Sequence, residues 1–215
     1  AIPESRRFKQ LTVLSVGGLL AGGTVQGAAV RPGFDASFLD RNDDESTDAV
    51  SIGFNANFFG TTYSNLFVNN NGNVTFDSPL ADFTPFGLTT NIGTAIIAPF
   101  FADVDTRAAG SDVVRYGSGT VNGRDAFGVD WVDVGYYDQH ADKLNSFQLV
   151  LIDRSDRNSG DFDIEFNCDT ILWETGDASG GDTGFGGESA RVGYSACTGV
   201  PGTFFAFPGS GVNGY

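Results

Sequence analysis

Leu66-Phe67-Val68-Asn69-Asn70-Asn71-Gly72-Asn73-Val74-Thr75-Phe76 reads as two short strands around a tight turn. Asn71-Gly72 suits the two central positions of a type I′ turn, which need positive φ; asparagine tolerates that region and glycine prefers it. Leu66-Phe67-Val68 then pairs with Val74-Thr75-Phe76. A second stretch, Ile97-Ala98-Pro99-Phe100-Phe101-Ala102-Asp103-Val104-Asp105-Thr106-Arg107, is an apolar strand that stops in two carboxylates and an arginine. Ala95 to Phe101 is apolar except for its proline, which predicts cover on both faces. Pro99 cannot donate to a ladder, so a bulge or an edge position is expected there.

Outward from these stretches the chain alternates between strand patterns and turns. Val50-Ser51-Ile52-Gly53-Phe54 alternates apolar and polar, and Phe58-Phe59-Gly60 closes that element. Residues 77–94, with Pro79 and Pro85, read as loop. Asp112 to Tyr116 is a short strand and Asp125 to Val134 a longer one, with Phe127, Val129 and Trp131 on one face and Val132 and Val134 on the other. Tyr136 to Asn145 reads as a polar connection, and Ser146 to Ile152 as a central strand. Asp161 to Phe166 alternates strictly, which predicts acids outward and apolar residues inward. Asp169 to Glu174 is expected to continue that ladder. Thr175 to Ser189, rich in glycine and acid, reads as a mobile loop. Ala190 to Ala196 and Thr203 to Phe207 complete the set. The expected class is all-β, a sandwich-like packing of roughly ten short, mostly antiparallel strands.

Composition agrees with that class. A chain of 215 residues suits one domain. Hydrophobic residues are 40% of it, with 20 Phe, enough for a sizeable core, and 30 Gly supply turns. The net charge of −15 repels nucleic acid and anionic lipid. Such acidity serves first to keep a secreted β protein soluble.

Residues 1–29 read as a signal peptide. Arg6, Arg7 and Lys9 form a positive region, Leu11 to Gly23 is a short apolar run, and Gly27, Ala28 and Ala29 offer a cleavage site. The run is too short and glycine-rich to span a bilayer, so no membrane insertion of the mature domain is expected. Ser5-Arg6-Arg7 hints at a twin-arginine signal, although Phe8 follows the pair directly. The chain has no Met and is expected to be a fragment at both ends, with residues 208–215 opening a truncated C-terminal region. Its two cysteines, Cys168 and Cys197, fit an oxidising compartment. A disulfide between them would contribute about 3–4 kcal/mol through loop entropy; two free buried thiols are the alternative.

The ordered blocks resemble the nidogen-like (NIDO) extracellular domain family over residues 35–207. The blocks are Leu66 to Phe76 with its Asn71-Gly72 turn, and Ala98 to Arg107 with Pro99, Phe100, Asp103, Asp105 and Arg107. Trp131 to Val134, Asn145 to Leu151 with Phe147 and Gln148, Phe162 to Phe166, Ile171 to Thr175 with Trp173, and Ala190 to Tyr194 follow in the same order. With its leader, the chain looks like the bacterial secreted forms. These often carry a C-terminal sorting signal of the PEP-CTERM type, which would lie downstream of Tyr215. The resemblance implies an extracellular or cell-surface location and a role in cell–matrix adhesion, with matrix or surface proteins or glycans as partners. It implies no catalytic residues and no cofactor.

Several groups invite chemistry. Asp103 and Asp105 lie two apart and share a strand face with Arg107. They form either a charge cluster capping the strand or part of a Ca²⁺ site, which needs six to eight oxygens from several segments. A glycosidase pair needs two carboxyls across a cleft, which neighbours on one strand rarely provide. Asp40-x-Asn42-x-Asp44 begins like a calcium loop but has Glu45 and Ser51 where that motif needs Gly and Glu, so it reads as a solvated loop. Asp161, Asp163 and Glu165 read as a solvent-facing row, and His140 as a surface histidine. No G-x-S-x-G elbow is present. Tyr136 and Tyr137 read as core or rim packing, with stacking on a sugar as the alternative. Asn73-Val74-Thr75 is a sequon placed awkwardly inside the hairpin. The expected function is a secreted, non-catalytic adhesion domain whose loops 175–189 and 40–48 make contact. The alternative is a Ca²⁺-dependent carbohydrate-binding module or carbohydrate-active enzyme using Asp103 and Asp105.

Overall fold

The computed structural model describes residues 29–89 and 93–214. All but the last residue of the expected leader lies outside that range. Among the described residues there are eleven strands: β1 (Ser37–Phe38), β2 (Val50–Phe58), β3 (Thr61–Asn69), β4 (Asn73–Thr75), β5 (Ile96–Phe101), β6 (Arg115–Val121), β7 (Arg124–Tyr136), β8 (His140–Asp153), β9 (Phe162–Thr170), β10 (Arg191–Ser195) and β11 (Phe204–Ala206). One sheet has the order β1-β6-β7-β8-β9 and the other β11-β10-β5-β4-β3-β2. The pairings within them are antiparallel. The expected all-β sandwich is therefore what forms.

The central hairpin forms where the sequence places it, with a different turn. Phe67 pairs with Thr75, Val68 with Val74 and Asn69 with Asn73, leaving a three-residue loop of Asn70, Asn71 and Gly72. Only Gly72 of these has positive φ, at 72°. The loop thus has the single left-handed residue of a three-residue hairpin rather than the two of a type I′ turn. Two-residue turns with both residues at positive φ occur instead at Phe59-Gly60 and Asn122-Gly123. The hairpin tip is also buried, from Asn69 through Phe76.

The core lies between the sheets. Ile52, Leu66, Val68, Val74 and Ile97 of one sheet meet Phe127, Val129, Leu149, Leu151 and Phe166 of the other. Burying each such side chain contributes about 1.5–3 kcal/mol. Trp131 stacks on Phe147 at 5.3 Å, and Trp173 meets Phe100 edge-on at 5.5 Å. Both outer faces are partly covered as well. Phe34 packs with Val121, Ala126, Val150 and Ile152, and Leu88 packs with Ile96, Ala98 and Phe101. β5 is thereby enclosed on both faces, as its apolar run predicts.

Two bulges reverse the alternation of side chains. Between the pairs Gly193↔Ala98 and Arg191↔Phe101, β5 carries one extra residue, at Pro99-Phe100. Ile97 and Phe100 consequently both face the central core, which strict alternation forbids. In β7 the extra residue falls between Trp131 and Val134, where Asp133 has φ of 54°. Val134 therefore joins Trp131 in the core, contrary to the opposite faces expected for them. Tyr136 is buried too and is not available to stack on a sugar.

Other expectations are corrected. Tyr136 to Asn145 is not a connection: β7 and β8 run into each other, pairing Tyr136 with His140. Asp169–Thr170 ends β9, and residues 171–176 leave the ladder. Residues 175–189 contain a 3-10 turn at Asp177–Ser179 and an isolated bridge between Asp182 and Phe185, so their backbone is hydrogen-bonded rather than open loop. Asp163 and Glu165 are not a solvent-facing row. Arg154 bonds Asp163 at 2.6 Å, while Arg31 Nη2 bonds Glu165 at 3.0 Å and covers it. Asn73 and Thr75 of the sequon are fully buried. The expected disulfide is absent: Cys168 and Cys197 are free thiols. The fold places Cys168 on β9 of one sheet, packed against the core, and Cys197 just past β10 of the other, with its Sγ against the Thr94 carbonyl. Among the described residues no helix is long and apolar enough to cross a membrane.

Candidate functional site

Beyond Phe101 the chain leaves its sheet and crosses to the other one. Tyr137 N donates to Asp103 O at 3.2 Å, Asp105 N donates to Gly135 O at 3.2 Å, and Val104 bridges Tyr136. Ala102 and Val104 enter the core, so Asp103 and Asp105 project to the opposite side. Both carboxylates are buried, yet the structure treats them differently.

Asp105 is saturated with donors. Arg107 Nε reaches Oδ1 at 2.9 Å and Nη2 reaches Oδ2 at 2.6 Å. The backbone N–H groups of Arg107 and Gln139 add bonds of 2.9 Å each. These charge-assisted bonds raise the Arg107 pKa still further above its ordinary value. The charge-cluster reading of the strand end thus describes Asp105 and Arg107, which pin the turn at 137–139.

Asp103 has the opposite character. It is 1% exposed, and its Oδ2 has no hydrogen-bond partner. Gly176 packs so close that a Cβ there would lie 2.5 Å from Oδ2. Burial, then the charges of Asp43, Asp44, Asp105 and Asp177, push the Asp103 pKa up to about 8. Oxygens of Asp43, Asp44 and Asp103 lie within 4.8 Å of one another. Asp43 is pushed up to about 6, mainly by burial and then by Asp105 and Asp44; Arg107, 3.1 Å from its Oδ2, opposes the shift.

The hairpin tip forms the wall of this cluster. Asn70 Nδ2 donates to the carbonyls of Asp43 and Val104, each at 2.6 Å. Asn71 Nδ2 donates to Asp44 Oδ1 at 2.8 Å, and Asn71 Oδ1 accepts from Val104 N at 2.9 Å. Trp131 Nε1 donates to Asn70 O at 3.0 Å. Two consecutive asparagines thus satisfy backbone groups of Asp43 and Val104 that hydrophobic residues would leave unpaired. Asn42, expected in a solvated loop, is buried here and exchanges bonds with Thr106.

The structure therefore keeps Asp103 and Asp105 together but divides their roles. It adds Asp43, Asp44 and Asn70, which the sequence reading did not assign. Asp40-x-Asn42-x-Asp44 was the available signal, but the partners that complete the cluster come from remote segments. His140 sits near the same end: its Nε2 is 2.9 Å from Asp177 Oδ2, and its ring stacks on Tyr136 at 4.7 Å. Gln148 and Trp173 are structural. Gln148 Nε2 bonds Asp130 at 2.6 Å, and the Trp173 indole bonds Val134 O at 3.1 Å.

The nidogen-like domain family model matches residues 64–214. The chain belongs to the nidogen-like domain family. It is similar to alpha-tectorin, at 36% identity over 191 residues in the mouse protein and 35% in the human protein. It is also similar to Drosophila nidogen, at 27% identity over 192 residues. Each comparison covers 78% of this chain but only 8% of the alpha-tectorins and 13% of the nidogen, so the chain spans a small part of those relatives. No solved structure matches it significantly.

Proposed function

We propose that this chain is an exported, non-catalytic module that attaches its parent protein to extracellular matrix or cell-surface material. Membership of the nidogen-like family is the observation that carries this reading. The loop end of the sandwich supports it. Loops 40–48 and 175–189 meet at Asp103 through Asp43, Asp44 and Gly176, and the Thr84–Ser179 hydroxyl pair at 3.1 Å ties the segment around Thr84 to the second of them. Phe83 and Phe185 stand exposed on these segments. Exposed aromatics of this kind anchor protein interfaces. The non-catalytic reading rests on Asp105, which is locked in its arginine pair and has no free oxygen to serve as base or nucleophile.

Binding of the purified chain to a panel of matrix and cell-surface proteins and glycans tests the reading. Saturable binding that weakens in Phe185→Ser is expected. Absence of saturable binding across the panel counts against it.

A further inference from the structure

We propose that Asp43, Asp44 and Asp103, with the amide oxygen of Asn70, form a calcium site at the junction of the hairpin tip and the β5 exit. Two observations meet there. The first is the convergence of three carboxylates from loop 42–45 and from the segment after β5. The second is a set of buried oxygens with nothing to accept: Asp103 Oδ2, Asp43 Oδ1 and Asn70 Oδ1. Asn70 is 1% exposed, and its orientation is fixed. Its Nδ2 faces two carbonyls, so turning the amide over would set oxygen against oxygen. Its Oδ1 is therefore held as a lone acceptor. A buried acceptor without a donor costs about 1–3 kcal/mol, more when charged. Two of these residues belong to the carboxylate cluster and the third bonds the Asp43 carbonyl through its Nδ2, so a ligand that supplies positive charge accounts for them together.

Nearby cations do not meet that need. Arg107 gives two bonds to Asp105 and reaches only one oxygen of Asp43. Asp105 is excluded as a ligand because four donors already occupy it. The donor set consists of oxygens alone, which selects a hard cation. Carboxylates and an amide carbonyl from separated segments suit the flexible, high-coordination shell of Ca²⁺ better than the strict octahedron of Mg²⁺. Four protein groups leave further positions to water. The ion would join loop 42–45, the hairpin tip and the β5 exit, and so brace the loop end described above. The inference does not depend on matrix binding, since its test needs no partner.

The test is a calcium titration of the EDTA-stripped chain by calorimetry, paired with thermal unfolding in EDTA and in about 5 mM Ca²⁺, well above the range of weak extracellular sites. Tb³⁺ gives a second readout, because Trp131 donates to Asn70 and can sensitise its emission. One saturable calcium site, a higher Tm with calcium, and Tb³⁺ emission displaced by Ca²⁺ are expected. Asp103→Asn and Asp44→Asn should each weaken calcium binding at least tenfold, whereas the remote surface change Asp156→Asn should leave it intact. In EDTA, Asp103→Asn should be at least as stable as the parent chain, which verifies that it folds; Asp44→Asn, at a half-buried position, carries the test if it does not. No saturable calcium binding, unchanged affinity in both variants, or an equal response to Mg²⁺ overturns the proposal.

Discussion

Arg107 grips Asp105 with two prongs, Nε to Oδ1 at 2.9 Å and Nη2 to Oδ2 at 2.6 Å, while Asp103 two residues earlier has no donor on its Oδ2. The same strand end therefore holds one carboxylate that is fully satisfied and one that is not. Asp105 also accepts from Gln139 N, so the pair fixes the β7–β8 turn as well as its own strand. Arg107→Lys replaces a planar fork with a point charge and cannot restore both prongs. Arg107→Ala leaves Asp105 buried and unpaired. A loss of about 3 kcal/mol is expected for the alanine variant, the low end for breaking a buried pair because Arg107 is itself 37% exposed. Urea unfolding at neutral pH measures it, and a loss below about 0.5 kcal/mol would show the pair to be dispensable.

Gly72 tests the buried hairpin tip. A Cβ there would lie 1.8 Å from the Phe100 carbonyl oxygen, and its φ is positive. Gly72→Ala combines backbone strain with overpacking and should cost about 3–5 kcal/mol. Gly123, in the β6–β7 turn, also has positive φ but nothing within 4 Å of its Cβ position. Gly123→Ala should therefore cost only about 1–2 kcal/mol. Equal destabilisation of the two variants would contradict the close approach of the hairpin tip to β5.

The thiols give a chemical check. The unfolded, unreduced chain should take up two iodoacetamide groups, read by intact mass, and reductant should leave its Tm unchanged. In the native chain Cys168 should label slowly, since burial pushes its thiol pKa up and lowers the thiolate fraction. An unreduced mass two hydrogens lighter, with no alkylation, would establish the bridge instead.

Asp130 predicts a pH dependence. Its carboxyl is buried and pushed up to about 6, chiefly by desolvation, with Asp35 adding to the rise and Gln148 and Arg115 opposing it. The unfolded value is about 3.9, so between these limits the folded state binds the proton more tightly. The Asp130 contribution to stability is then greatest below about pH 4, declines as pH rises towards about 6, and levels off above, a change of up to about 3 kcal/mol. Asp130→Asn, which retains an acceptor for Gln148, should remove this slope. Unfolding free energies of both proteins between pH 4 and 7 test it; parallel curves would refute the assignment.

Much of this architecture was legible in the residues. The apolar run of β5 announced its double cover, and Pro99 announced a bulge or an edge position, of which the bulge is what forms. The period-2 pattern of Phe162, Ile164 and Phe166 placed those residues on the core side. What misled was reading each strand alone. Parity in β7 holds only as far as Trp131, and the bulge at Asp133 inverts it. Likewise the alternating acids of β9 look solvent-facing until Arg31, 134 residues from Glu165, and Arg154, across the β8–β9 turn from Asp163, close over them.

The sequence by itself determined the two-sheet class and the position of the hairpin, because strand periodicity and turn residues act over a few neighbours and survive without tertiary information; the family rested on the order of its motif blocks. Only the tertiary structure decided the environments of Asp103 and Asp105. Both sit on one strand face, and although the arginine that pairs with Asp105 lies only two residues on, the charges gathered around Asp103 come from other segments. One meets Arg107 and the Gln139 amide; the other is walled in by Asp43, Asp44, Asn70 and Gly176. Burial and charge at a site are sums over segments that only the fold brings together, and that sum separates the structural carboxylate from the one left ready for a cation.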